Sequence, residues 1–387
     1  MNKITTNLIY KNHKNSVWQI NNQKSIIYKI IKNFTDLICH LPKPIKKSVF
    51  SFIDFITLSG SRLLSLINQL YLTIYLVQGI GKNNKQIIRI FYLREGPLDS
   101  YFSKIFFKNN PKTEVIGKIF IWEIKKKINK YSSSIDAILI NSDIFYSHFY
   151  EKQGLIIFPE WISMKVDISK PINDIYKSFS KSIKEDIRKV KKNGYCYELS
   201  DDLDKLKMFY YKMYLPYTYE RYGKLAIINN FIAIRHLFET GYKLMLIKKN
   251  DKYVLGSLFS IKKDTLETRI MGILKGKTNL LKKGLGCAAY YFTLLWAKEN
   301  GIKKLNYGAC RPFLNDGVFQ YKKKWGTIIE KADIKFFPKI FAFIICKNSK
   351  EIQSFLLNNP FICLTNNQLK TFVFIKNNNQ INSKNLL

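Results

Sequence analysis

Residues 288–297, AAYYFTLLWA, carry no charge and would present an apolar surface on nearly every side of a helix. Such a helix is stable only where neighbours cover most of its faces. Its ends are marked: Gly284-Leu285-Gly286 opens it, and Gly301 can take a left-handed cap. Before it, residues 242–274 (YKLMLIKKNDKYVLGSLFSIKKDTLETRIMGIL) read as a meander of three strands, with turns at KND and KKD. After it, KKLNY reads as one more strand. Strand, glycine loop, buried helix and strand form a crossover unit, so this part of the chain is predicted to be α/β.

The glycine loop has chemical potential. The start of a helix carries unpaired N–H groups and a partial positive charge, and glycines at 284 and 286 would let a pyrophosphate approach without meeting a Cβ. Lys282 and Lys283 add charge beside it, and tight packing at a helix start is the competing explanation. Rarer residues concentrate further on, at 308–326 (GACRPFLNDGVFQYKKKWG). Here Asp316-Gly317 is a good turn pair, Tyr321 and Trp325 suit a core, and Arg311 can pair with Asp316. As a group, the same residues suit the wall of a pocket.

The order of meander, glycine loop, buried helix and strand is similar to the acyl-CoA-binding core of the GNAT acyltransferases. Their loop reads Arg/Gln-x-x-Gly-x-Gly/Ala; residues 281–286 here read Leu-Lys-Lys-Gly-Leu-Gly, with Leu281 in place of the leading Arg or Gln. The stretch with Gly308, Arg311, Pro312, Asn315, Asp316, Gly317, Tyr321, Lys322, Trp325 and Gly326 resembles the end of the FemAB-like branch of that superfamily. SFSKSIKEDIRKVKKNG and LPYTYERYG resemble the basic helix and aromatic loop of the same domain. The resemblance covers roughly residues 154–335, and the part before it is compatible with the divergent first half of a tandem pair. It implies an α/β fold built as a GNAT-like mixed sheet with a second α/β half before it. It also implies a donor site at Gly272, Ile273, Lys282, Lys283, Gly284, Leu285 and Gly286. The carbonyl would be polarised by backbone N–H near Gly272 and Ile273, Asp316 would take a proton and Tyr321 would give one. Arg311, Asn315 and Lys322 would contact acceptor or phosphate.

The rest of the chain is divided by pattern. Residues 1–80 read as a mostly helical extension, 81–170 as a first α/β half, 171–345 as the catalytic domain and 346–387 as a tail with a frayed Asn-rich end. Leu63–Ile80 has no charge for eighteen residues but carries Asn68, Gln69 and Gln78, which favours a buried or membrane-surface helix over a spanning one. Asn173 can cap a helix whose Ile175, Phe179, Ile183 and Ile187 recur every four residues and whose other faces are basic. Asn173 to Gly194 is therefore predicted as one helix, with LPYTYERYGK as a loop after the next.

Net charge of +36 invites a polyanion partner, but only eight of the 64 basic residues are Arg, the side chain suited to bidentate base and phosphate contacts. A Lys, Asn and Ile excess is also what an AT-rich coding sequence produces, so no sequence-specific DNA binding is expected. Six Cys in no regular framework suit free thiols, the four His show no ligand spacing, and no metal is expected. The polar N-terminus suits a cytoplasmic protein, with contact to the inner face of a membrane left open.

The expected function is an N-acyltransferase moving an acyl group, acetyl above all, from a CoA thioester to an amine, with a sugar or cell-envelope precursor as the acceptor class. Two alternatives stay open. One is a Fem-type enzyme using aminoacyl-tRNA, and the other is an inactive polyanion-binding module. Cys310 has no His within seventy residues on either side and is expected as a small residue after a strand, not an acyl-carrying nucleophile.

Overall fold

A computed structural model describes residues 60, 62–83, 86–94, 100–131, 133–223, 226, 228–332, 338–377 and 380–386. A helix α1 over 62–68 leads into β1 (Tyr71–Ile80), β2 (Ile87–Arg94), α2 (Ser100–Phe106), β3 (Lys112–Phe120), α3 (Ile124–Tyr131), β4 (Ala137–Asp143), α4 (Ser147–Lys152) and β5 (Ile156–Pro159). Then follow β6 (Ile162–Asp167), α5 (Ile172–Ser178), α6 (Lys181–Lys192), β7 (Cys196–Ser200), α7 (Leu203–Phe209), a π-helical turn at Tyr210–Tyr214, α8 (Leu215–Tyr222) and α9 (Phe231–Glu239). The meander is β8 (Lys243–Lys249), β9 (Lys252–Lys262) and β10 (Thr265–Ile273), followed by α10 (Leu285–Glu299), β11 (Lys304–Cys310), α11 (Gly317–Lys323) and β12 (Ile328–Lys331). The chain closes with β13 (Lys339–Ile345), α12 (Lys350–Asn358), β14 (Phe361–Thr365), β15 (Gln368–Asn377) and β16 (Gln380–Leu386).

The strands form two mixed sheets and a small antiparallel one. The first sheet runs β3-β1-β2-β4-β13-β5, the second β12-β6-β11-β10-β9-β8-β7, and the third β14-β15-β16. The expected α/β class, a mixed sheet with an α/β half before it, is therefore observed. The KND and KKD turns lie where expected, with Asn250, Asp251 and Lys263 all at positive φ. The apolar helix α10 buries ten of its side chains, Leu294 and Ala297 completely, within the core of the second sheet. Each fully buried large aliphatic contributes about 1.5–3 kcal/mol, and this outweighs the lack of a polar face.

Several local expectations are corrected. Of the uncharged run at 63–80, only the first part is helical, and Tyr71–Ile80 is a strand paired on both sides by β2 and β3. YLTIYLVQGI is rich in β-branched and aromatic residues that favour a pleated, half-buried surface. Among the described residues, no helix is long and apolar enough to cross a membrane. The basic helix breaks in two: Phe179 is extended, and Ser180 caps α6 by accepting from the Ile183 N–H. Ile175, Phe179, Ile183 and Ile187 are nevertheless all buried, as their spacing predicted. LPYTYERY is helical, because Pro216 sits in the first turn of α8 where its missing N–H costs nothing. Lys112–Phe120 is the edge strand β3.

Strand membership also crosses the expected boundaries. β6 joins the second sheet, while β13 returns to the first and pairs with β4 and β5. Residues 346–377, expected as a tail, continue into α12 and β14–β15 with buried Ile352, Phe355, Phe361 and Ile362. Sequence order alone does not say which sheet an apolar strand enters, because any open edge satisfies it.

At Gly272 the backbone of the meander passes directly against the backbone of the π-helical turn. A Cβ there would lie 2.4 Å from Tyr214 N and 2.5 Å from Tyr214 Cα, in the π-helical turn. Backbone cannot retreat as a side-chain tip can. Gly272→Ala should cost about 3 kcal/mol in urea denaturation. Gly317→Ala, which has nothing within 4 Å and no positive φ, should change stability by less than about 1 kcal/mol.

Candidate active site

The second sheet splits between β10 and β11. The two strands pair in parallel only at Thr265–Lys304, Leu266–Leu305 and Glu267–Asn306. Both are irregular at that point. The register of β10 against β9 shifts between Thr268 and Ile270, and that of β11 against β6 between Asn306 and Ala309. A bulge bends its strand and raises the local twist, so two adjacent bulges steer the strands apart. Asn306 fastens the crotch: its side chain accepts from the Gly308 N–H (2.9 Å), and its carbonyl accepts from the Thr268 hydroxyl (3.2 Å). Gly308 stands at φ +80°, where a Cβ would also come within 3.1 Å of Thr268 O.

Beyond the crotch lies a cavity of about 460 Å³. Thr268–Met271 forms one wall and Tyr307–Ala309 the other, with the start of α10 and parts of α8 and α11 completing it. The start of α10 borders the cavity without a capping side chain. Gly284 is left-handed (φ +82°), no side chain caps the helix and its first turn holds no acid. The Gly284 carbonyl accepts from Ala288 N, so the N–H groups of Leu285, Gly286 and Cys287 precede the first intrahelical bond. Gly286 and Cys287 line the cavity.

Lys322 is a buried charged group on its wall, where Asp186, Arg221 and Arg269 also line the cavity. Only 4% exposed, it donates 2.8 Å hydrogen bonds to the carbonyls of Gly308 and Ala309. Burial lowers its pKa to about 8, because desolvation penalises the ammonium. On the same wall, Tyr290 packs at a tilt on Tyr307 (4.4 Å between centroids, 32°) and meets Tyr321 edge-on (5.3 Å, 90°). Burial pushes all three phenols above their ordinary range, so they hold their protons at neutral pH. The Tyr307 hydroxyl is buried with no hydrogen-bond partner, an unmet polar group on the cavity wall. Arg221 stands at the rim and donates to Tyr217 OH.

Some expected site residues converge here and others do not. Gly286, Tyr321 and Lys322 line the cavity. Gly284 shapes the loop beneath it, Leu285 is fully buried in the core, and the side chains of Lys282 and Lys283 lie outside the described residues. Gly272 and Ile273 do not line it. The glycine packs on the Tyr214 backbone, Ile273 is core, and the cavity-facing part of β10 is Thr268–Met271. Arg311 is sandwiched between the rings of Trp161 (4.1 Å) and Tyr101 (5.0 Å) and pairs with Glu160 (3.2 Å), away from the cavity. Asn315 donates to the Asn358 carbonyl (2.7 Å). Asp316 caps α11, accepting from Val318 N and Phe319 N, and its other oxygen accepts from Tyr101 OH (3.3 Å). Cys310 is buried, with its thiol pushed up to about 12 by desolvation.

Sequence reasoning missed Tyr217, Arg221, Tyr290 and Tyr307. Reading LPYTYERY as a helix would have placed Tyr217 and Arg221 one turn apart on one face, and nothing in the α10 sequence distinguishes Tyr290 from its core neighbours.

No family model matches the chain, and no curated protein matches it. Among solved structures it is similar to FemX, at 15% identity over 72% of this chain and 90% of that one, with a TM-score of 0.38. It is also similar to L-PGS from Bacillus licheniformis (11% identity, 72% and 86% covered, TM-score 0.35). A third similar structure is a tandem GNAT protein from the clavulanic acid biosynthesis pathway (8% identity, 69% and 82% covered, TM-score 0.29).

The depressed Lys322 pKa makes stability depend on pH with a definite sign. The folded state binds this proton less tightly than the unfolded chain, so the penalty is full below about pH 8 and fades as pH rises toward 10.5. Relative to Lys322→Met, the wild type should gain about 2 kcal/mol of stability between about pH 7.5 and pH 9.5, measured by urea denaturation at each pH.

Proposed function

We propose that the chain is an acyltransferase that binds an acyl thioester in the fork between β10 and β11 and moves the acyl group to an amine. The observation that carries this reading is the cavity's position. It opens where two strands part, with the free N–H groups of α10 at one side and a desolvated lysine on the other. A CoA pyrophosphate would sit on the α10 N-terminus. The amides of the pantetheine arm would pair with strand edges that part beyond Glu267 and Asn306. Backbone N–H groups in Thr268–Met271 would polarise the thioester carbonyl.

The proton inventory closes on residues of this chain. The attacking amine forms a C–N bond and surrenders a proton to Lys322, whose lowered pKa leaves a share of it neutral near pH 8. The C–S bond breaks, the departing thiolate takes a proton from Tyr321, and the proton gained by Lys322 passes to the phenolate through water, so both side chains end as they began. Cys310, buried as a thiol, stays outside the reaction. Asp316 acts by capping α11, which presents Tyr321 and Lys322.

A second donor has an observation in its favour. Helix α6 exposes Lys181, Arg188, Lys189, Lys191 and Lys192, and its Asp186–Val190 segment lies against Gly284. A phosphodiester chain leaving the cavity would meet that basic face, as aminoacyl-tRNA would require. The donor is resolved by calorimetry. Acetyl-CoA should bind, stabilising the fold by about 2.7 kcal/mol at a hundredfold excess over Kd, and Gly286→Val should abolish binding. No heat with CoA esters, together with binding of charged tRNA, would establish the second donor. Binding of neither would leave a module without this activity.

Kinetics separate the roles on α11. Lys322→Met should lower kcat at least about a hundredfold. Asp316→Asn should lower it less than about tenfold, because asparagine also caps a helix. A hundredfold loss in Asp316→Asn with the fold intact would return the general-base role to Asp316.

A further inference from the structure

One end of the first sheet holds large apolar side chains in water. β1 begins there, β3 and β4 end there, and α1 lies across it. Tyr71 pairs with Phe120 across β1 and β3 with rings 4.5 Å apart, and Trp122 stacks on Phe120 at 4.7 Å and 9°. Helix α1 is tied to the loop after β4 by Tyr146 OH donating to Leu66 O (2.7 Å) and by Arg62 beside Asp143 (3.6 Å). That brings Leu63, Leu64 and Ile67 to the same end as Phe145. Leu64 is 64% exposed, Trp122 58% and Phe145 69%. Scattered exposed hydrophobics are ordinary, but an aromatic stack beside an apolar helix face marks an interaction site.

The charge around this patch selects the partner. Lys118 Nζ lies 5.5 Å from the Tyr71 ring, and exposed Lys125, Lys126 and Lys127 follow Trp122 after Glu123 and Ile124. Among the described residues the nearby acids are few: Asp143 is buried beside Arg62, Glu123 accepts from Phe120 N, and Glu114 lies further along β3. An apolar and aromatic centre with lysines at its rim matches the layered chemistry of an anionic membrane surface, acyl boundary within and phosphate around. Lysine suits this rim because its stem lies along apolar surface while the ammonium stays in water.

We infer that this end of the first sheet docks on an anionic lipid surface, with Leu64, Trp122 and Phe145 entering the headgroup layer and Lys118, Lys125 and Lys126 against lipid phosphates. The patch is separate from the cavity in the second sheet, so the inference stands whichever acyl donor is used.

The test is co-sedimentation of the full chain with vesicles of phosphatidylcholine alone and of phosphatidylcholine mixed with phosphatidylglycerol. The chain should bind the mixed vesicles far better, and binding should weaken as salt rises. Trp122→Ala combined with Phe145→Ala should lower the partition coefficient at least about tenfold. Both side chains are exposed, so thermal unfolding should be unchanged. Lys125→Glu with Lys126→Glu should lower binding to mixed vesicles by roughly fivefold per charge or more. Equal partition of wild type and the aromatic double variant would overturn the inference by placing any lipid contact elsewhere in this basic chain. Absence of vesicle binding, with self-association that the double variant abolishes, would overturn it in favour of a second copy of the chain.

Discussion

Three residue pairs join β10 to β11, and the second sheet opens immediately past them. A parallel pair normally gains from each further rung of its ladder, so early separation must be enforced. Two bulges enforce it, with Asn306 bonded across the crotch and Gly308 in a conformation that favours glycine. The cavity, the exposed strand edges and the place of Lys322 all follow from that separation. Lys322 in turn bonds the carbonyls of Gly308 and Ala309 just where β11 diverges, so the same group holds the wall and lines the cavity.

The two halves are joined by a different chemistry. The short crossing from β5 to β6 is Glu160-Trp161, and Arg311 takes both at once, the carboxylate by an ion pair and the indole face by stacking. Tyr101 from the first half completes the cluster by meeting the Arg311 guanidinium and donating to Asp316. Arg311 is nine-tenths buried, and a planar guanidinium between two rings with one carboxylate is a way to bury charge that a lysine would not reproduce. This clamp sets the start of α11 and therefore the height at which Tyr321 and Lys322 enter the cavity.

The second sheet was readable because its signals are local. A meander with polar turns, a helix with no polar face and a glycine pair before it leave few alternatives. The dense stretch at 308–326 serves two purposes that sequence does not separate. Arg311, Asn315 and Asp316 work on the clamp and the cap, while Tyr321 and Lys322 face the cavity. Charge and hydrogen-bonding capacity are the same in either role, and only direction distinguishes them. The first half was less legible. β1 is as apolar as a helix would be, and β13 reaches its partners from nearly two hundred residues away.

The return of β13 has a consequence for biosynthesis. Residues 339–345 lie between β4 and β5, so the first sheet has an empty central slot until they have been made. During translation the second sheet can be assembled while β4 and β5 still wait, each with an unpaired apolar edge of the kind that recruits strands from other chains. The half that begins first is thus the half that finishes last. A nascent chain of this protein is safest if that slot is shielded until residues 339–345 have left the ribosome.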